Sequence, residues 1–141
     1  MVTPTIDYWL PNSLWSGLRF QNMVECAQQW IPIIKEKENP HLIVGLFHSG
    51  LEGGVESYHG LENSTKKVAE NVPGFDLILY GHDHKNAVNT FYNTESKPVL
   101  TAAPNNNGAR IVEAQIQLIM RGDELLKKKI LPQKQKLKKQ L

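Results

Sequence analysis

Two short apolar runs, each ending on histidine, constrain this chain more than any other feature. Leu42-Ile43-Val44-Gly45-Leu46-Phe47 leads into His48-Ser49-Gly50, and Phe75-Asp76-Leu77-Ile78-Leu79-Tyr80 leads into Gly81-His82-Asp83-His84. Runs of this length bounded by turn residues read as buried strands. Between them, Asn63-Ser64-Thr65 is suited to cap a short helix reaching Asn71, which Pro73-Gly74 stops. Strand, helix and strand within about forty residues is the spacing of a parallel βαβ unit with a right-handed crossover. Parallel pairing puts both carboxyl ends on one sheet edge, where ligands of open α/β sheets sit. His48 and His82 are therefore expected to be neighbours in space. Imidazole nitrogen ligates zinc and other divalent transition metals. His48, His82 and His84 are the candidate metal ligands.

The rest of the chain fits an α/β domain. Residues 1–21 are irregular, broken by Pro4, Pro11, Asn12 and Gly17, and Tyr8, Trp9, Leu14, Trp15 and Phe20 are expected to plug into the core. Asn22 followed three residues on by Glu25 is a helix start. Met23, Val24, Ala27, Ile31 and Ile34 then recur at helical spacing, through Pro32, until Asn39-Pro40. Residues 49–62 hold four glycines and read as a loop. After the histidines, 87–92, 98–102 and 110–120 read as strands separated by polar turns. The expected architecture is α/β, a βαβ unit followed by a β-meander.

Composition narrows the function classes. The chain has 141 residues, enough for one domain with a real core. No apolar stretch nears the roughly 18 residues that span a bilayer. The single cysteine, Cys26, excludes an internal disulfide and reads as a small buried hydrophobe on a helix. The net charge of +2 conceals an asymmetry: seven of the 16 basic residues lie in the last fifteen positions. Residues 1–126 carry nine basic and fourteen acidic side chains, which argues against a nucleic-acid-binding surface there. Residues 127–141, with Lys127, Lys128, Lys129, Lys134, Lys136, Lys138 and Lys139, read as a solvated or frayed basic tail.

Other polar residues carry bland and sharp readings side by side. His41 opens a strand at the opposite sheet edge and reads as a surface residue. His59 reads as a solvated loop histidine, with a lid or substrate contact as the alternative. Asp83 either orients an imidazole or stabilises its turn. Ser49 and Gly50 would let the backbone pass close to an anion. Asn105-Asn106-Asn107 is explained by turn chemistry, with a substrate contact as the alternative. No G-x-S-x-G elbow and no G-x-x-x-x-G-K-[ST] loop occurs, which argues against a serine nucleophile of that kind and a P-loop.

Taken in order, His48-Ser49-Gly50-Leu51-Glu52, Val72-Pro73-Gly74-Phe75-Asp76 and Gly81-His82-Asp83-His84 resemble the calcineurin-like metallophosphoesterases. The branch is that of 5'-nucleotidases and 2',3'-cyclic-nucleotide 2'-phosphodiesterases. Val2-Thr3-Pro4 and the Gln29-Trp30-Ile31-Pro32 helix fit it too, so the resemblance runs from about residue 2 to about 120. It implies the second half of an α/β/β/α sandwich and a pair of divalent cations, zinc, manganese or iron. By resemblance, His48 and His82 serve the second cation and His84 the first. The cations clamp a phosphoester such as a nucleotide while water attacks phosphorus in line with the leaving oxygen. Members of the branch are commonly exported, which points to a periplasmic or extracellular parent.

The family pattern also includes an Asp-x-His, a Gly-Asp and a Gly-Asn-His ahead of this region, and none of them precedes His48 here. The expectation is a C-terminal half of the catalytic domain, residues 1–126, followed by the basic tail. Three neutral imidazoles without a bridging carboxylate suit one cation better than two mutually repelling ones. Little phosphatase activity is expected from this chain alone. The alternative is a non-catalytic binding or assembly module that self-associates through an uncovered sheet face.

Overall fold

The computed structural model describes residues 1–136 and is α/β. Its main sheet has four strands in the order β1 (Val44–His48), β4 (Leu77–Gly81), β6 (Pro98–Pro104), β5 (Asn86–Tyr92). The helices are α1 (Ile6–Trp9), α2 (Met23–Glu38) and α3 (Thr65–Asn71). Two further ribbons, β2 (Gly53–Ser57) with β3 (Gly60–Asn63) and β7 (Arg110–Arg121) with β8 (Glu124–Lys136), are antiparallel.

The parallel βαβ unit is present. β1 pairs with β4 from Val44↔Leu77 to His48↔Gly81, so the two histidine-bearing loops leave the sheet side by side. β4 also pairs in parallel with β6, and β5 lies antiparallel to β6 at the edge. The strands expected to form a meander thus pair as two hairpins, one inside the sheet and one beside it.

α2 forms for the reasons its sequence suggests. The Asn22 side chain accepts hydrogen bonds from the Val24 and Glu25 N–H groups at 2.9 and 3.4 Å, and Met23, Ala27 and Ile31 bury one stripe. The helix continues through Pro32, and Asn39 ends it in a left-handed conformation with φ of 42°. α3 starts differently. Ser64 makes no side-chain cap and donates instead to the Leu61 carbonyl. Cys26 is half-buried rather than buried.

Alternation along the strands sorts the core. Phe47, Ile78, Tyr80, Val99 and Ala103 share the helix-facing cluster with Val68, Ala69, Val72 and the α2 stripe. Phe47 and Phe75 meet edge to face at 5.6 Å. Leu77 and Leu100 are buried on the opposite face. On that same face of β1, Val44 and Leu46 remain exposed.

Three expectations are corrected. The N-terminal segment is anchored by buried Thr3, Pro4 and Thr5, while Tyr8, Trp9 and Leu14 stay exposed. Its backbone extends the sheet instead: Thr3 N–H donates to the His48 carbonyl at 2.8 Å and His48 N–H to the Met1 carbonyl at 2.9 Å. Residues 53–63 form a hairpin that reverses at Tyr58-His59, where Gly60 enters β3 with a φ of 120°; Gly53 and Gly54, with φ of 83° and 85°, sit at its open end, where the register of β2 shifts. Residues 124–136 are a strand rather than a frayed tail, since β7 supplies a partner for almost every residue. Lys128 on β8 ion-pairs with Asp76 and donates to the His41 carbonyl, tying the ribbon to the body. Lys138 and Lys139 lie outside the described residues. No helix among the described residues is long and apolar enough to cross a membrane.

Candidate functional site

His48 and His82 meet where β1 and β4 end. Their register partners His48↔Gly81 set the approach, and His82 Nδ1 lies 3.2 Å from His48 Nε2. The rings are 5.0 Å apart and steeply inclined, so nitrogen points at nitrogen rather than face at face. His82 reaches this position with a φ of 111°, and His84 has a φ of 54°. Left-handed backbone on two non-glycine residues costs energy and persists only where surroundings over-determine it.

Those surroundings are hydrogen bonds. Asp83 Oδ2 accepts from the Leu51 N–H at 3.1 Å, and Asp83 Oδ1 from the Lys85 N–H at 3.4 Å, so the aspartate clamps the two loops together. Ser49 is fully buried; its hydroxyl donates to the Glu62 carbonyl at 2.8 Å and accepts from the Ser64 N–H at 2.9 Å. Gly50 N–H donates to Asn63 Oδ1 at 2.8 Å. The Ser49 hydroxyl and the Gly50 N–H are thus both engaged in internal bonds that hold the loop after β1 against β3 and the start of α3. Gly50 is required for space: a Cβ there would stand 2.5 Å from Asn63 Oδ1 and 2.7 Å from Asp83 Cβ.

Glu62 at the end of β3 completes the arrangement, with its side chain only 8% exposed. Its Oε1 lies 2.9 Å from His82 Nε2 and accepts from Trp9 Nε1 at 2.8 Å, and its Oε2 accepts from the Val55 N–H at 2.9 Å. Burial pushes this carboxyl up, but hydrogen bonds from His82, Val55 and Trp9 and the His82 charge outweigh it and hold the group below its ordinary value. Tyr80, on the strand below, is pushed up to about 12 by burial and then by Asp83, so it stays a neutral phenol.

The three predicted ligands are not brought to one point. His84 is exposed, and its Nδ1 stands 3.4 Å from Asn106 Nδ2 in the turn after β6. Among the described residues no group of three His, Cys, Asp or Glu side chains is arranged to hold one ion. His41 is exposed, as expected. His59 is packed rather than solvated: it stacks edge-on with Phe20 and Tyr58 and lies 3.6 Å from Asp7. Asn105 and Asn107 have φ of 86° and 56°, the turn geometry asparagine tolerates. Glu62 went unseen as a site residue, because its contacts cross a hairpin that the glycines disguise. In the sequence it stands two residues ahead of Ser64, the N-cap of α3, a position that carries no signal of its own.

The pair of nitrogens fits a divalent cation in its donor chemistry. Two imidazole nitrogens about 2.1 Å from one tetrahedral ion lie roughly 3.4 Å apart, close to the 3.2 Å between His48 and His82.

Fold and sequence both place this chain beside the calcineurin-like phosphoesterases. No family model matches the chain. Over 83 residues, 59% of its length, it is 35% identical to the trifunctional nucleotide phosphoesterase protein YfkN of Bacillus subtilis (strain 168), covering 6% of that protein. Over a further 83-residue alignment it is 30% identical to a 2',3'-cyclic-nucleotide 2'-phosphodiesterase/3'-nucleotidase of Salmonella typhimurium, again 59% of this chain and 12% of that one. The crystal structure of calcineurin-like phosphoesterase YfkN from Bacillus subtilis superposes with a TM-score of 0.67 at 24% identity, over 95% of this chain and 42% of that one. The chain thus spans less than half the length of each of these relatives.

Proposed function

We propose that His48 and His82 hold a divalent cation in a phosphoester-hydrolysing site of the nucleotidase and cyclic-nucleotide phosphodiesterase type. The observation that carries this reading is the 3.2 Å approach of their ring nitrogens at adjacent parallel strand ends. The names of the relatives support a nucleotide phosphoester as the substrate class. When bound, a divalent cation neutralises charge on a phosphoryl oxygen and polarises it. His84, turned toward Asn106, is assigned to the neighbouring cation position rather than to this pair.

The same reading expects weak chemistry from this chain by itself. Glu62, the carboxylate in contact with His82, is occupied by three hydrogen bonds, so it does not stand ready to screen two cations from each other. Calorimetric titration with zinc chloride or manganese chloride should give saturable binding. Turnover of 2',3'-cyclic nucleotides, 3'-nucleotides, 5'-nucleotides and p-nitrophenyl phosphate should stay near background. Absence of binding contradicts the ligand assignment, and robust turnover contradicts the expected inactivity.

A second reading, an assembly module, has an observation in its favour. Leu46 is 74% exposed and Val44 43%, side by side on an edge strand. Size-exclusion chromatography separates the two readings: a tight dimer without metal uptake favours assembly, and a metal-binding monomer favours the site.

A further inference from the structure

We infer that Glu62 is a positioning residue that fixes the tautomer of His82 and thereby aims Nδ1 at the space it shares with His48. The inference rests on the assignment of His48 and His82 as ligands and deepens it. A carboxylate only accepts, so the 2.9 Å contact between Glu62 Oε1 and His82 Nε2 requires the proton to sit on Nε2. A neutral imidazole has one proton; with it on Nε2, Nδ1 carries the lone pair. That Nδ1 is the atom facing His48 Nε2.

The carboxylate is itself immobilised from two sides. Trp9 Nε1 donates to the same oxygen that His82 uses, and the Val55 N–H on β2 donates to the other. With the side chain 8% exposed, water competes little for these positions. α1, β2 and β3, elements that carry no ligand themselves, thus converge on one ring orientation. Ligating histidines commonly donate their second N–H to a carboxylate, and losing such a partner costs about 10- to 100-fold in metal affinity.

Glu62→Ala tests this sharply, because it removes both carboxylate oxygens and with them the acceptor that holds the proton on Nε2. Long-range proton–nitrogen spectra of the metal-free protein at pH 8, with His82→Ala for assignment, should place the wild-type proton on Nε2. The variant should shift toward the Nδ1–H form and bind zinc about 10- to 100-fold more weakly. A wild-type proton on Nδ1 overturns the inference, as does a variant that keeps both the tautomer and the zinc affinity of wild type. Should the variant lose its fold, the wild-type spectrum alone decides between the two tautomers. Because the spectra are recorded without metal, they judge Glu62 separately from a zinc titration that sinks the ligand assignment.

Discussion

His48→Ala is expected to weaken zinc binding by more than about a hundredfold, beyond what losing a supporting partner alone costs, while leaving the fold intact. The His48 side chain is exposed and outside the core cluster, so its removal leaves no cavity. The bonds that seat residues 1–3 against β1 use the His48 backbone, which alanine retains. What disappears is one of the two nitrogens facing the shared space. Calorimetric zinc titration measures the first effect, and a thermal melt followed by circular dichroism measures the second. Undiminished zinc affinity in the variant would place the cation elsewhere.

Ile78→Ala should do the reverse, destabilising the fold without touching a ligand. Ile78 is completely buried on β4, between β1 and β6, and packs into the helix-facing cluster. Removing a buried isoleucine side chain to alanine costs about 2–5 kcal/mol, depending on how far the site collapses. At roughly 3 °C per kcal/mol for a chain of this size, the melting temperature should drop by about 10 °C. Leu46→Ala is the matched comparison: at 74% exposure it should shift stability by less than about 0.5 kcal/mol. Equal effects at the two positions would mean that the exposed face of β1 is covered in solution.

The βαβ unit was legible because its signals are local and agree with one another. Apolar runs, a helix between them and glycine or proline at each break all point to a parallel pair, and the observed register follows. The meeting of His48 and His82 came with it. What stayed hidden depends on distant partners. The lysines on β8 look like a solvated tail until β7 is laid beside them. Gly53 and Gly54 suggest a loop, although both lie within β2, whose register shift takes up their positive φ while the chain reverses at Tyr58-His59. The N-terminal aromatics are apolar enough for a core, yet α2 and the sheet already fill it, leaving room for Thr3 to Thr5. Glu62 is one acidic residue among several near His59, and only the folded hairpin brings it to His82. His84 was read by spacing, but a φ of 54° swings that residue out of the simple alternation of a strand.

Crystals soaked in zinc and measured at the zinc absorption edge bear most directly on the pairing of the two histidines. An anomalous peak is expected within about 2.1 Å of both His48 Nε2 and His82 Nδ1, the ordinary zinc–imidazole distance. Zinc bound anywhere else on the chain, with these two nitrogens left in contact with each other, would contradict it.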